Sequence, residues 1–228
     1  MTAAPCVVVF ALFDNVTQLD FAGPYEVFLQ LPGAQCVMAS SCGGTIVADG
    51  GLTIANVKRL ADIPHADLVC VPGGLSVVDA LGDAEYLREL RRLAQGARYV
   101  TSVCTGSVLL GAAGLLRGKR AACHWSWRDL LPPFGAIVDE ARVVRDGNVI
   151  TGGGVTAGID MALTVVAEIA GAEHAQSVQL CVEYAPAPPF DCGRPERAAP
   201  ELLDAVAAKL DRMRIDRYAA VQRAAQAL

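Results

Sequence analysis

Short runs of apolar, β-branched residues recur along the chain, and each is followed by a stretch with helical spacing. Pro5–Leu12 (PCVVVFAL) is the first run; Gly23-Pro24 then punctuates the chain ahead of a helix-like YEVFLQL. Gln35–Ser40 reads as a second strand, and GGTIVADGGLTI reads as a hairpin turning at Asp49-Gly50. Asp67–Val71 is a short apolar strand that stops at Pro72-Gly73-Gly74. Asp83 is placed to cap AEYLRELRRLAQGA, whose leucines at 87, 90 and 93 share a face and whose end is marked by Gly96. Arg98–Val103 is the next strand, running into a helix from Thr105. Arg142–Arg145 and Val149–Thr151 flank Asp146-Gly147-Asn148 as a second hairpin, and Gly152–Gly154 leads into a helix through Ile159–Ala170.

Short, nearly all-apolar strands alternating with helices imply an α/β fold: a mostly parallel sheet covered by helices on both faces. In such sheets, function gathers at the carboxyl ends of the strands. Three strands end unusually here, in PGG (72–74), VCTGS (103–107) and GGG (152–154). At 228 residues the chain makes one generous domain or two cramped ones. Its character changes after Tyr184. The expected division is therefore a catalytic domain over 1–184, and over 185–228 a proline-dense arm with an amphipathic helix (Pro200–Leu228), packing on the same domain or on a dimer partner.

Tyr99–Leu116 carries no charge for 18 residues, the lower edge of a membrane span. Its first half is β-branched and its second Leu/Ala-rich, so a strand turning into a helix accounts for it better. The formal net charge is 19 − 24 = −5, with no clustered basic face, which argues against a nucleic-acid binder. Cysteines at 6, 36, 42, 70, 104, 123, 181 and 192 include no C-x-x-C pair, so neither zinc nor a redox dithiol is indicated. With no leader apparent, a cytoplasmic location with eight free thiols is expected, most of them packing residues, as at Cys6, Cys70 and Cys181.

Cys104 stands apart from the other seven. A strand entering a helix through a sharp turn, with Gly106 and Ser107 behind, is the geometry of a nucleophile elbow. Helical amides near the sulfur are expected to depress the thiol's pKa and to stabilise developing negative charge. For a proton partner, His65 and His174 read as surface residues, and His124 (in CHWSW) as a structural hydrogen-bonder. Asp20 (in QLDFAGP) remains, an acid in an apolar setting placed at the end of the first strand–loop. It is either a turn or cap residue or a buried carboxyl with a raised pKa.

QLDFAGPYEVF, VPGG, YVTSVCTGSVLLGAAGLLRGKRAACHW, VVRDGNVITGGGVTAGIDMAL and the VEYAPAPPF arm resemble the ThiJ/PfpI superfamily, flavodoxin-like three-layer sandwiches, and within it the isocyanide hydratases. The resemblance runs from about residue 6 to 195. It implies Cys104 as nucleophile, Asp20 as general acid/base, and the Gly74 amide with Thr105 in oxyanion-type or substrate binding. It also implies no metal or organic cofactor and a homodimer acting on a small isocyanide and water, an activity of the hydro-lyase type. Thr105 stands where many relatives carry His after the cysteine, which disfavours a Cys–His mechanism and peptidase activity. Val155 matches a β-branched residue packing near the nucleophile, and Trp125, Trp127 and Phe21 are candidates for an apolar pocket. The competing readings are a glyoxalase or deglycase, the ligand-sensing domain of an AraC-type regulator, and a redox sensor built on Cys104.

Overall fold

The computed structural model describes residues 6–212 and 216–228. In chain order the elements are β1 (Cys6–Ala11), α1 (Gln18–Phe28), β2 (Ala34–Ser40), β3 (Gly44–Val47), β4 (Thr53–Arg59), β5 (Leu68–Val71), α2 (Val77–Leu81) and α3 (Ala84–Gly96). There follow β6 (Tyr99–Val103), α4 (Gly106–Ala112), β7 (Arg120–Ala121), β8 (Ile137–Val138), β9 (Val143–Asp146), β10 (Val149–Gly152), α5 (Ala157–Ala170), α6 (Ala172–Cys181), α7 (Pro200–Arg212) and α8 (Arg217–Gln226). Pro5, expected to open the first strand, lies outside the described residues, as do 213–215 within the expected terminal helix.

The main sheet has the order β3-β4-β2-β1-β5-β6-β10-β9. Its six inner strands run parallel, and only the edge strands β3 and β9 are antiparallel, each closing a hairpin. Helices α1, α5 and α6 pack on one face; α2, α3, α4 and α8 pack on the other. β5 is fully buried, and β1 is from Val8 onward, because both of their faces are covered. This is the three-layer α/β sandwich that the apolar alternation implied. The strand order reverses between β1 and β5, so the crevice at their carboxyl ends is the switch point where such folds build sites.

Three local differences from the sequence reading have physical causes. Helix α1 begins at Gln18, well before Gly23-Pro24, and runs through both residues. Pro24 removes one helical hydrogen bond, but its ring lies against Gly158 of α5, where an added Cβ would meet it at 3.0 Å. Gly23 likewise admits Ile159, so the two residues that look like breakers are the packing surface between α1 and α5. Asp20 consequently sits in the first turn of a helix and not in a strand–loop. The C-terminal residues form two described helices: α7 buries none of its residues, whereas α8 buries Ala220 and Val221 as it packs near α2 and α4. Helix α6 had no counterpart in the sequence reading; its Cys181 is exposed, as are Cys42 and Cys192, so these three are not packing residues.

Asp83 accepts the Tyr86 amide at 2.9 Å and caps α3 as expected. All eight cysteines are free. Among the described residues no helix is long and apolar enough to cross a membrane; Tyr99–Leu116 is strand β6 turning into α4 and the loop beyond.

A Cβ at Gly106 would collide with the carbonyl oxygens of Val71 and Pro72, so the start of α4 lies directly on the end of β5. Gly106→Ala should therefore cost on the order of 2–4 kcal/mol, measured as a lower denaturant midpoint. Gly96→Ala, where a Cβ meets nothing within 4 Å, should be neutral or stabilising by up to about 1 kcal/mol. Equal midpoints for the two variants would contradict this close approach.

Candidate active site

Cys104 is the turn between β6 and α4. Its φ of 59° is a strained conformation for a residue with a side chain, as a nucleophile elbow demands. The strain is held from both sides. The Cys104 amide donates to the Gly152 carbonyl at 3.0 Å, and its carbonyl accepts from the His124 amide at 3.4 Å. Both neighbouring strand ends thus fix the elbow, and the sulfur's residue is only 5 % exposed.

Asp20 is fully buried, and one of its carboxyl oxygens, Oδ2, accepts the Gly73 amide at 2.9 Å. The other, Oδ1, is buried and has no hydrogen-bond partner of standard geometry among the described residues. The carboxyl group interacts with the Cys104 thiol. A buried acceptor left open is rare enough to need a reason, and a reacting molecule between carboxyl and thiol is one. Gly73 has no alternative residue here. A Cβ on it would lie 2.5 Å from the Thr105 amide nitrogen and 2.8 Å from Asp20 Oδ2.

The Gly74 amide donates to Thr105 Oγ1 at 2.9 Å, and Thr105 Oγ1 donates back to the Gly74 carbonyl at 3.0 Å. Gly74 and Thr105 are therefore brought together at the site, but they hold each other. The Gly74 amide, expected to face a substrate oxyanion, is already engaged. Consecutive amides of the PGG turn thus anchor the two flanks of the elbow, Gly73 taking Asp20 and Gly74 taking Thr105. The backbone amide that reaches the sulfur is that of Thr105.

Electrostatics corrects one expectation. Burial first, then the nearby Asp20 and Cys123, push the Cys104 thiol well above its ordinary value, and the Thr105 amide only partly offsets them. Burial therefore works against the standing thiolate that the helix amides favour. Burial also raises Asp20, to about 7, against the lowering effect of the Gly73 amide and the Cys104 thiol. Near neutral pH the pair holds a thiol beside a carboxyl poised between its two forms.

Outside the elbow lies a cleft of ≈ 190 Å³ whose lining includes Cys123, His124, Trp125, Gly153, Val155 and Thr156. Val155 is half-buried there. Of the three aromatic candidates only Trp125 lines the cleft, while Trp127 and Phe21 are core. His65 is exposed and pairs with Asp67; His174 is half-buried, its Nε2 2.8 Å from the Gln30 carbonyl. His124 caps the short 3-10 helix after it, Nδ1 lying 2.9 Å from Ser126 Oγ. Sequence reasoning missed Gly73 and Cys123. The first could have been found by asking which amide of PGG faces back toward α1. The second carries no signal short of the fold.

A model of the DJ-1/PfpI family matches residues 7–168. The chain is 51 % identical over 195 residues to the isonitrile hydratase of Pseudomonas putida, with 86 % of each chain covered. It is 32 % identical over 171 residues to protein dj-1beta of Drosophila melanogaster, covering 73 % of this chain and 91 % of that one. The crystal structure of a ThiJ/PfpI family protein from Pseudomonas syringae superposes with a TM-score of 0.92 at 36 % identity, covering 98 % of this chain and 92 % of that one. Strand order, strained cysteine elbow and a family match over most of the length agree, and the chain belongs to the DJ-1/PfpI family.

Proposed function

We propose that the protein hydrates isocyanides to N-formamides, with Cys104 as nucleophile and Asp20 as general acid/base. The observation that carries this reading is the fully buried Asp20 carboxyl beside the strained Cys104, with one carboxyl oxygen open. The likeness to a named isonitrile hydratase over most of both chains supports the substrate class.

An isocyanide, R–N≡C, is electrophilic at its terminal carbon, and sulfur is a soft nucleophile. The Asp20 carboxylate takes the thiol proton as Sγ bonds to that carbon, then returns the proton to the same carbon, giving the thioimidate R–N=CH–S. Asp20, again a carboxylate, next takes a proton from water while the hydroxyl adds to the carbon. The substituted nitrogen receives that proton, which leaves R–NH–CH(OH)–S. The C–S bond then breaks with loss of the hydroxyl proton, releasing R–NH–CHO and restoring the thiol. Atoms balance as isocyanide plus water to formamide, a hydro-lyase type reaction with no cofactor in any step. Gly74 and Thr105 act in this scheme by holding the elbow, and the Thr105 amide faces charge as it develops on sulfur.

The proposal includes a homodimer, expected to sediment near twice 23.8 kDa, and a reducing cytoplasmic setting for the eight free thiols. It also keeps the catalytic domain at 1–184, with 185–228 as its arm and C-terminal helices.

Purified protein should convert an alkyl isocyanide to its formamide. Cys104→Ala should abolish this, Asp20→Ala should lower it by about 10²–10⁴-fold, and Asp20→Glu should keep part of it. Turnover retained by Cys104→Ala would sink the nucleophile, and turnover of methylglyoxal without any of isocyanide would favour the glyoxalase reading. Because the carboxylate must take the thiol proton, kcat/KM should rise with pH through about 7. A flat profile from pH 5 to 9 would remove Asp20 from that role.

The same titration acts on stability. Folded Asp20 keeps its proton up to about pH 7, whereas the unfolded chain loses it near 3.8, so stability is lost as pH rises between these values. Between pH 4 and 8 the stability difference should move in favour of Asp20→Asn over the parent protein by on the order of 4 kcal/mol. Denaturant melts of both proteins across that range check it, and a pH-independent difference would contradict a buried, proton-holding Asp20.

A further inference from the structure

The cleft outside the elbow holds a largely buried cation whose contacts within the chain are few and long. Arg128, on the 3-10 helix Trp125–Leu130, lines the cleft with a side chain only 17 % exposed. A guanidinium offers five N–H donors and stays charged at any pH of interest. Here it forms one hydrogen bond, Nη2 to the Glu140 carbonyl, at the limiting distance of 3.5 Å. Its ion pairs are long: Nη1 lies 3.4 Å from Glu140 Oε1 and 3.9 Å from Glu196 Oε1. Its Nε is buried and has no partner among the described residues. A mostly buried charge with an orphaned donor is costly unless something supplies the missing acceptor.

The other two arginines of the cleft differ. Arg142 is 2.9 and 2.7 Å from Asp160 Oδ2 and donates to Thr156 Oγ1 at 3.2 Å. Arg194 donates to the Glu140 carbonyl at 2.8 Å and pairs with Glu196 at 3.3 Å. Each makes at least one contact of 2.9 Å or less, whereas those of Arg128 run from 3.4 to 3.9 Å and its Nε has none among the described residues. The cleft also adjoins the elbow through the backbone. His124, which lines it, donates its amide to the Cys104 carbonyl, and Gly153 directly follows the residue that accepts the Cys104 amide.

We propose that Arg128 is a specificity-determining residue that binds a carboxylate on the substrate's substituent. The isocyanide group meets Cys104 while the substituent crosses the cleft between Trp125 and Val155. This rests on the isocyanide reading for the reaction, though not for the binding. The planar guanidinium fork matches a carboxylate in two parallel hydrogen bonds, which a neutral alkyl tail cannot offer. A cleft of ≈ 190 Å³ is smaller than the roughly 300–1,000 Å³ of drug-sized pockets, so the acid must sit on a compact substituent such as a single ring.

The test compares 4-isocyanobenzoate with 4-methylphenyl isocyanide on the full-length protein. Wild type should favour the carboxylate at least tenfold in kcat/KM. Arg128→Gln should cut that preference at least tenfold through KM, leaving the methyl substrate within about twofold. Arg128→Lys, which keeps the charge without the fork and so guards against a misfolded glutamine variant, should recover part of the preference. In parallel, calorimetry measures binding of 4-formamidobenzoate and 4-methylformanilide to the same proteins, which needs no turnover. Tighter binding of the acid that depends on Arg128 upholds the carboxylate site even if neither isocyanide is hydrated, in which case the reaction reading alone fails. Hydration of both isocyanides with the same ratio in wild type and folded Arg128 variants overturns the site and leaves the reaction standing. Equal binding of the two formamides overturns it as well.

Discussion

The contact on which the site depends is the approach of the β5–α2 turn to the elbow, backbone against backbone. Gly73 lies against the Thr105 amide and the Asp20 carboxyl at distances that exclude any side chain, and Gly106 lies against the end of β5. From this one closure follow the anchoring of Asp20 by the Gly73 amide and the Gly74–Thr105 exchange of hydrogen bonds. The burial that raises both titratable groups follows from it too. The strained φ at Cys104 persists because the surrounding hydrogen bonds over-determine it.

On the proposed reaction, that closure changes how Cys104 must be activated. An exposed thiol at a helix start is lowered by amides and dipole and waits as thiolate. At Cys104 desolvation outweighs the single amide that reaches the sulfur, so ionising the thiol calls for a base beside it. Asp20 suits that task because the same burial lifts it toward neutrality, where a carboxylate is basic enough to accept a proton and a carboxyl acid enough to return it. The two shifts are one physical fact seen on two groups.

The layer architecture was legible because it rests on periodicity. Buried parallel strands are largely apolar, as β1 and β5 are throughout; β6 is buried too, with Thr101 donating to the Val69 carbonyl and Ser102 bonded to Ser107. The elbow was legible because small residues after a strand-end cysteine have few other uses. The start of α1 was not, since Gly23 and Pro24 break helices by local rules and are kept here by contact with Gly158 and Ile159, more than 130 positions away. The direction of the Cys104 shift was misread for a related reason: local sequence shows the amides that stabilise a thiolate but not the depth of burial that opposes them. Which PGG amide serves which partner was beyond reach too, because it turns on a single residue of register.

Arg128 carries the argument about specificity into the same terms. A guanidinium that loses most of its contact with water needs acceptors from the protein or from what binds beside it. The charged groups of the cleft must then be paired within the protein or by the substrate. Arg142 and Arg194 are paired within it, by Asp160 and by Glu140 and Glu196. The one guanidinium left short of acceptors is also largely buried, which makes its pairing energetically dependent on what enters. Burial at the elbow makes the thiol depend on a base, and partial burial in the cleft makes Arg128 depend on an acceptor. On the proposed reaction, chemistry and selectivity then share one cause, the loss of solvation at the carboxyl ends of a closely packed sheet.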